Sequence, residues 1–312
     1  MPLKITRIAF RLGIVFLMGA LLFAQASIKP PRILGIAHVA FYVSDLGKTR
    51  VFYKDFLGFD EPFSLKHQDG TDWIGFVKVN DYQYLELFTG DSSNRGQLSH
   101  IAIYTDNAAQ MKDYLTSRGI QIIARLHQGQ TGDTFFSVAD PDGHLIEIVE
   151  YRPNSWTARE KGNFMPADRI SNHILRVGLM VGSAEPALKF YGDILGFQEV
   201  GRANDNYSQA VRIDMRAPNG NDYLELILYQ GRPSPEQQKA QNHVCLERSN
   251  LQKTVIDLQA RSAIVSYSYP LSIRMGNNSP SQADLVDPDG VHIELLEPAT
   301  SKQSAASDVP AR

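Results

Sequence analysis

Cysteine is almost absent from this chain, and its scarcity excludes a fold built on disulfides. Cys245 is the only cysteine among 312 residues, so no intramolecular disulfide can form, and we expect Cys245 to be a buried packing residue. An excess of positive charge is also missing, because 31 Lys and Arg face 34 Asp and Glu. The sequence therefore gives no indication of a nucleic-acid partner. A hydrophobic content of 43% with 21% charged residues is typical of a globular protein.

Three familiar catalytic motifs are missing as well. The sequence contains no P-loop, no glycine-rich dinucleotide fingerprint and no serine nucleophile elbow.

The first residues are typical of a secretory signal peptide. Three positive residues precede a short apolar run, Leu12 to Phe23, which is followed by an Ala-x-Ala site at residues 24–26. The run is shorter than the roughly 20 apolar residues that span a bilayer, although an uncleaved anchor remains the alternative. We predict cleavage after Ala26, export to the periplasm or medium, and no stable membrane insertion thereafter. At the other end, residues 299–312 are rich in Ser and Ala and predict a disordered tail.

Internal repeats determine the predicted architecture. The phrase FYKDFLGF at 52–59 returns as FYGDILGF at 190–197, and the turn DPDG at 140–143 returns at 287–290. These phrases alternate along the chain, which indicates two similar halves of two modules each. Every module is predicted to be βαβββ, since a strand, a helix of apolar spacing and further strands follow in that order. The predicted domains are residues 33–151 and 171–298, joined by a linker at 152–170.

Both DPDG turns lead into an apolar strand that carries an unexpected glutamate. Glu147 and Glu294 each lie four residues after the turn glycine. Charged residues are depleted in strands and are costly to bury alone, so a repeated strand glutamate needs a partner.

The phrases HVAFYVSDLGKTRVFYKDFLGF, YLELF and DPDGHLIEI resemble the vicinal oxygen chelate superfamily. That group includes glyoxalase I, methylmalonyl-CoA epimerase, extradiol dioxygenases, and fosfomycin and bleomycin resistance proteins. The resemblance extends over roughly residues 33 to 298. It implies an α+β fold in which four βαβββ modules pair into two open, eight-stranded, cup-like half-barrels, with one divalent metal ion inside a cup.

The resemblance also implies a set of metal ligands in the first half. The matching positions are His38, Glu86, His100 and Glu147, and two imidazoles with two carboxylates suit a divalent ion. Strand alternation places each of them in a mainly apolar row. By analogy with glyoxalase I, Glu147 is the expected general base, with Glu86 opposite it. Three aromatic residues are further candidates for lining a substrate pocket: Tyr42, Tyr104 and Phe136.

The second half departs from this pattern. Glu225, His243 and Glu294 match, but Arg176 stands where the first half has His38. An arginine cannot bind a cation and would pair with Glu225 or Glu294. We expect a salt bridge, an anionic ligand or nothing in the second cup, and a metal held by the other three residues stays open.

Two classes of function remain for the whole protein. The first is an exported, metal-dependent isomerase or lyase that uses Ni, Zn, Fe, Mn or Co and transfers a proton through a glutamate. The second is a non-catalytic protein that sequesters a small molecule, like the bleomycin resistance proteins. An extradiol dioxygenase is disfavoured, because Arg176 and Asp284 stand where that group has a metal ligand and a catalytic tyrosine. Both a monomer and a homodimer are compatible with the sequence.

Overall fold

The computed structural model describes residues 29–90, 93–94, 96–205, 210–229, 242–274 and 281–297. The predicted signal peptide and the predicted tail lie outside these ranges and stay predictions. Within the described ranges, no helix is long and apolar enough to cross a membrane.

The first half consists of two βαβββ modules in sequence. Its elements are β1 (Ile33–Val43), α1 (Leu46–Arg50), β2 (Asp60–Lys66), β3 (Asp72–Lys78) and β4 (Tyr84–Thr89), then β5 (Leu98–Thr105), α2 (Ala108–Ser117), β6 (Ile122–Gln128), β7 (Thr134–Ala139) and β8 (Leu145–Glu150). Asp45 and Asn107 cap the two helices by accepting hydrogen bonds from backbone amides three residues on. The first helix continues as a π-helical turn, Val51–Phe56, which buries the repeated aromatic residues.

The second half repeats this order after a short connecting helix, α3 (Trp156–Arg159). Its elements are β9 (Ile174–Val181), α4 (Ala184–Leu188), a π-helical turn (Lys189–Ile194), β10 (Gln198–Asp205), β11 (Ala210–Arg216) and β12 (Tyr223–Tyr229), then β13 (His243–Glu247), α5 (Leu251–Val265), β14 (Ile273–Arg274), β15 (Ser281–Val286) and β16 (His292–Glu297). The predicted α+β fold of four modules is confirmed.

The strands form two eight-stranded mixed sheets. The first has the order β2-β3-β4-β1-β5-β8-β7-β6, and the second the order β10-β11-β12-β9-β13-β16-β15-β14. In each sheet the opening strands of the two modules, β1 with β5 or β9 with β13, pair antiparallel at the centre. We call the concave face of the first sheet the first cup and that of the second sheet the second cup.

The helices cover the opposite face of each sheet. Phe136, Ile146 and Ile148 face α2 there, in a hydrophobic core that continues into the second half. This packing leaves the four central strands of each sheet free to present polar side chains into the cup.

The segment predicted as a linker is partly structured. Ser155 caps α3, and Trp156 is 2% exposed in a cluster with Ile74, Phe76 and Tyr84 of the first cup. The connection between the halves therefore contributes to the wall of the first cup.

Candidate metal centre

Four adjacent strands each place one candidate ligand in the first cup. Glu86 comes from β4, His38 from β1, His100 from β5 and Glu147 from β8, which are the four central strands in their spatial order. Register explains the convergence, since Ala40 pairs with both Glu86 and His100 while Ala102 pairs with both His38 and Glu147. Small alanines at these central positions leave room for the four longer side chains.

The four side chains meet at short distances. Nε2 of His38 lies 2.9 Å from Nε2 of His100, and 3.7 Å from an oxygen of each of Glu86 and Glu147. Nε2 of His100 lies 3.5 Å from Glu86 and 3.9 Å from Glu147. Both histidines and Glu86 are buried, while the Glu147 side chain is 13% exposed.

This arrangement fits a divalent metal ion. Two ligands at right angles on bonds of about 2.1 Å would lie about 3 Å apart, close to the spacing of the two imidazole nitrogens. Ligand atoms of His38, Glu86 and His100 all fall within 4.8 Å of one another. Without a cation, two buried carboxylates this close would be costly to keep charged.

Burial and mutual charge separate the pKa values of the four groups. Burial lowers the pKa of His38 to about 3, so this imidazole is neutral and able to bind a metal at ordinary pH. Burial would also raise the pKa of Glu86, but His38 and His100 outweigh it and hold that pKa below its usual value. Burial raises the pKa of Glu147 to about 8 against the opposing effect of His100. The two carboxyl groups thus differ in proton affinity.

Aromatic side chains surround the ligands on one side. The Tyr84 ring stacks on His38 with centroids 4.6 Å apart, and Trp156 contacts Tyr84 at 5.3 Å. The centroid of the Phe88 ring lies 5.8 Å from that of His100 and 6.1 Å from that of Tyr42. Tyr42 is half-buried beside the centre, where it can contact a bound molecule.

The other two aromatic residues predicted to line the pocket lie in different places. Phe136 is wrong as a substrate residue, because it pairs with Ile148 rather than Glu147 and is fully buried on the helix-covered face. Tyr104 lies four residues beyond His100 on β5, as Tyr42 lies four residues beyond His38 on β1. Its ring is tilted against that of Tyr151, with centroids 4.6 Å apart, and it borders a cavity of about 610 Å³ between the two halves.

In the second cup a guanidinium group takes the place of the His38 side chain. Arg176 pairs with Tyr223 in the register in which His38 pairs with Tyr84, and it lies 3.0 Å from Glu225 and 2.7 Å from Glu294. Arg212 contacts the other oxygen of Glu225 at 2.5 Å. His243 lies 3.4 Å from Glu294. An internal ion-pair network therefore joins all four second-cup candidates.

Sequence reasoning missed several polar residues that the fold brings together. His292 lies in the second cup beside Glu294 and Asp284, and a strand histidine two residues before that glutamate was the available signal. His173, just before β9, is another such residue. Its two ring nitrogens contact Asp222 and Glu247, each at 2.6 Å.

Comparison with known proteins agrees with this arrangement. The family model described as "Glyoxalase/Bleomycin resistance protein/Dioxygenase superfamily" matches the chain twice, over residues 35–148 and 171–295. The chain belongs to this superfamily. The two matches coincide with the two cups and leave out the connecting segment with Trp156.

Individual relatives of this superfamily member are distant. A lactoylglutathione lyase of Schizosaccharomyces pombe is 23% identical over 83% of this chain and 95% of its own length. The Mn(II)-bound glyoxalase of Novosphingobium aromaticivorans has a TM-score of 0.63 at 18% identity, covering 85% of this chain and 82% of that one. An extradiol ring-cleaving dioxygenase of B. fuscum also scores 0.63, at 17% identity, covering 86% and 73%. These structural similarities show the shared fold.

Proposed function

We propose that this protein is a metal-dependent isomerase or lyase of the glyoxalase type, with its active site in the first cup. The observation that supports this most strongly is the convergence of two imidazoles and two carboxylates from four adjacent strands. A divalent ion held by His38, Glu86, His100 and Glu147 would polarise two neighbouring substrate oxygens, a carbonyl and an adjacent hydroxyl, and acidify the hydrogen on the carbon that bears the hydroxyl.

Within this site the two glutamates take different roles. Glu147 is the proton carrier, since burial raises its pKa to about 8 and its side chain is slightly more exposed than that of Glu86. Glu86, whose pKa the two histidines lower, stays ionised as a ligand. Two carboxyl groups with separated pKa values are the usual arrangement for acid–base catalysis.

The proposed substrate is a small molecule with adjacent oxygens, other than a glutathione adduct. The predicted export would remove the protein from the cytoplasm, where glutathione is mainly expected. Half-buried Tyr42, Phe88 and Trp73 offer an aromatic surface beside the ligands for such a molecule. The isotope-exchange experiment, run in turn with Ni, Zn, Fe, Mn and Co, also identifies the metal that supports activity.

A binding protein that sequesters its ligand is the second candidate. The dioxygenase alternative is less favoured, because Arg176 contacts two carboxylates and Asp284 pairs with Arg274 at the positions where that chemistry needs a histidine and a tyrosine.

Isotope exchange tests the enzymatic proposal. The full chain, loaded in turn with each of the five metals, is incubated in D2O with a panel of α-hydroxyketones and hemithioacetals, and loss of the carbon-bound hydrogen is followed by proton NMR. We expect exchange that Glu147→Gln abolishes, while Glu185→Gln, on helix α4 of the second half, leaves it unchanged. Ligand binding in the same panel without exchange would favour the sequestering protein.

A further inference from the structure

The second cup carries two ligand-type side chains that the first cup lacks. His292 precedes Glu294 by two residues on the same face of β16, where the first half has Leu145 before Glu147. Asp284 pairs with Glu294 across β15 and β16, where the first half pairs Ser137 with Glu147. Compared with the first half, the second half lacks a ligand at Arg176 and has two further candidate ligands, on β15 and β16.

These residues lie close enough to share a cation. Nε2 of His243 is 3.4 Å from Oε2 of Glu294, and Nε2 of His292 is 3.4 Å from Oδ1 of Asp284. One ligand atom from each of His243, His292 and Glu294 falls within 4.8 Å of the other two. His243 and Glu294 are buried, whereas His292 and Asp284 are half-buried and leave a path to solvent.

Three arginines contact the carboxylates in and around this cluster. Glu225 is neutralised by both Arg176 and Arg212, so it is not available as a ligand. Arg176 contacts Oε2 of Glu294, the oxygen that also lies 3.4 Å from Nε2 of His243, so a cation would share this carboxylate with the arginine. Arg274 contacts Oδ2 of Asp284, which leaves Oδ1.

Unpartnered buried atoms mark the same place. Oδ1 of Asp284 and Nδ1 of His292 are buried and have no hydrogen-bond partner among the described residues. A buried polar atom without a partner costs about 1 to 3 kcal/mol. A bound cation would satisfy the carboxylate oxygen directly and would fix the orientation of the imidazole.

We propose that His243, His292, Glu294 and Asp284 form a second divalent-metal site, displaced from the Arg176 position toward β15. Two imidazole nitrogens and two carboxylate oxygens can bind Zn²⁺. An ion held there would tie β13, β15 and β16 together in the half that lacks the first cup's ligand set.

Zinc stoichiometry tests this site on the full chain. Apoprotein is dialysed against excess Zn²⁺ and then against buffer, and bound zinc is measured by elemental analysis. His292→Leu and Asp284→Ser restore the first-half side chains at these positions, so they are matched to the internal repeat. We expect two equivalents in the wild type, one in each of these variants, and one in His38→Ala, which changes only the first cup.

The site is distinguished from the first cup by combining variants. His38→Ala with His292→Leu should bind no zinc, and Zn²⁺ should raise the melting temperature of His38→Ala but not of the double variant. A wild type whose only equivalent disappears in His38→Ala would overturn the proposal, as would a second equivalent that survives Asp284→Ser. If His292→Leu does not fold by circular dichroism, Asp284→Ser alone decides.

Discussion

The hydroxyl of Tyr191 donates a hydrogen bond to Oδ2 of Asp140 at 2.9 Å, joining the repeated aromatic phrase of the second half to the repeated turn of the first. The reciprocal pair, Tyr53 and Asp287, lies at 3.5 Å. Backbone amides follow the same exchange, because Ser44 donates to Asp289 and Gly182 to Asp142. The repeated phrases therefore also form the contact between the two halves.

The two reciprocal tyrosines should differ in their contribution to stability. The pKa of Asp140 lies below its usual value, because His144 and Tyr191 outweigh its burial, so Tyr191 bonds to a carboxylate. Burial raises the pKa of Asp287 to about 7, and its contact with Tyr53 is longer. We expect Tyr191→Phe to lower the free energy of unfolding by about 1–3 kcal/mol and Tyr53→Phe by less. Urea unfolding measures both, and equal losses would show that the asymmetry has no energetic consequence.

His173 should make stability depend on pH. Burial would lower its pKa, but Asp222 and Glu247 outweigh burial and raise it above the value of about 6.5 expected in the unfolded chain. The stabilisation is therefore complete below about pH 6.5 and is lost as the pH rises through the folded-state pKa.

The variant His173→Gln should show a smaller loss of unfolding free energy between pH 6 and pH 9 than the wild type. Urea unfolding at both pH values measures this, with His127→Gln on the exposed end of β6 as the control. An unchanged dependence of the unfolding free energy on pH in His173→Gln would contradict the account. Asp222 also accepts a hydrogen bond from the backbone amide of Ile36, so the ion pair with His173 belongs to the contact between the halves.

Arg176 should stabilise the fold strongly, although burying its charge is costly. Its removal in Arg176→Met leaves Glu225 and Glu294 without their shared partner, and breaking a buried pair of this kind costs about 3–5 kcal/mol. The matched control is Arg50→Met, because Arg50 also contacts two carboxylates, Glu61 and Asp72, but with a side chain that is 29% exposed. We expect about 1 kcal/mol or less for the control. Equal losses in urea unfolding would show that burial is not the decisive difference.

Sequence reasoning predicted the four modules because repeats and alternation are local signals, whereas the pairing of the modules into two cups was implied by the family resemblance. The paired phrases indicated four modules, and strand alternation placed His38 and Glu147 in apolar rows that became the inner face of one sheet. Parity also decides where Phe136 lies. A shift of one residue moves a strand side chain to the opposite face, and only the pairing of Ser137 with Glu147 shows which face is inward.

Contacts between distant segments could not be predicted in the same way. Trp156 fell in a stretch whose prolines, glycine and asparagines are typical of a linker, yet its ring stacks on Phe63 of the first cup at 5.8 Å. The link from His173 through Asp222 to Ile36 depends on how the halves are oriented, which no local pattern encodes. His292 was visible as a histidine, but its proximity to Asp284 depends on the β15–β16 register.

The central claim is that the four converging side chains of the first cup hold one divalent metal. Elemental analysis of residues 27–312, purified without chelator, tests it directly when the wild type is compared with His38→Ala and Glu147→Ala. Each variant should contain about one metal equivalent per chain less than the wild type while keeping its circular dichroism spectrum. Equal metal content in all three folded proteins would contradict the account and leave the first cup as a binding pocket without a metal centre.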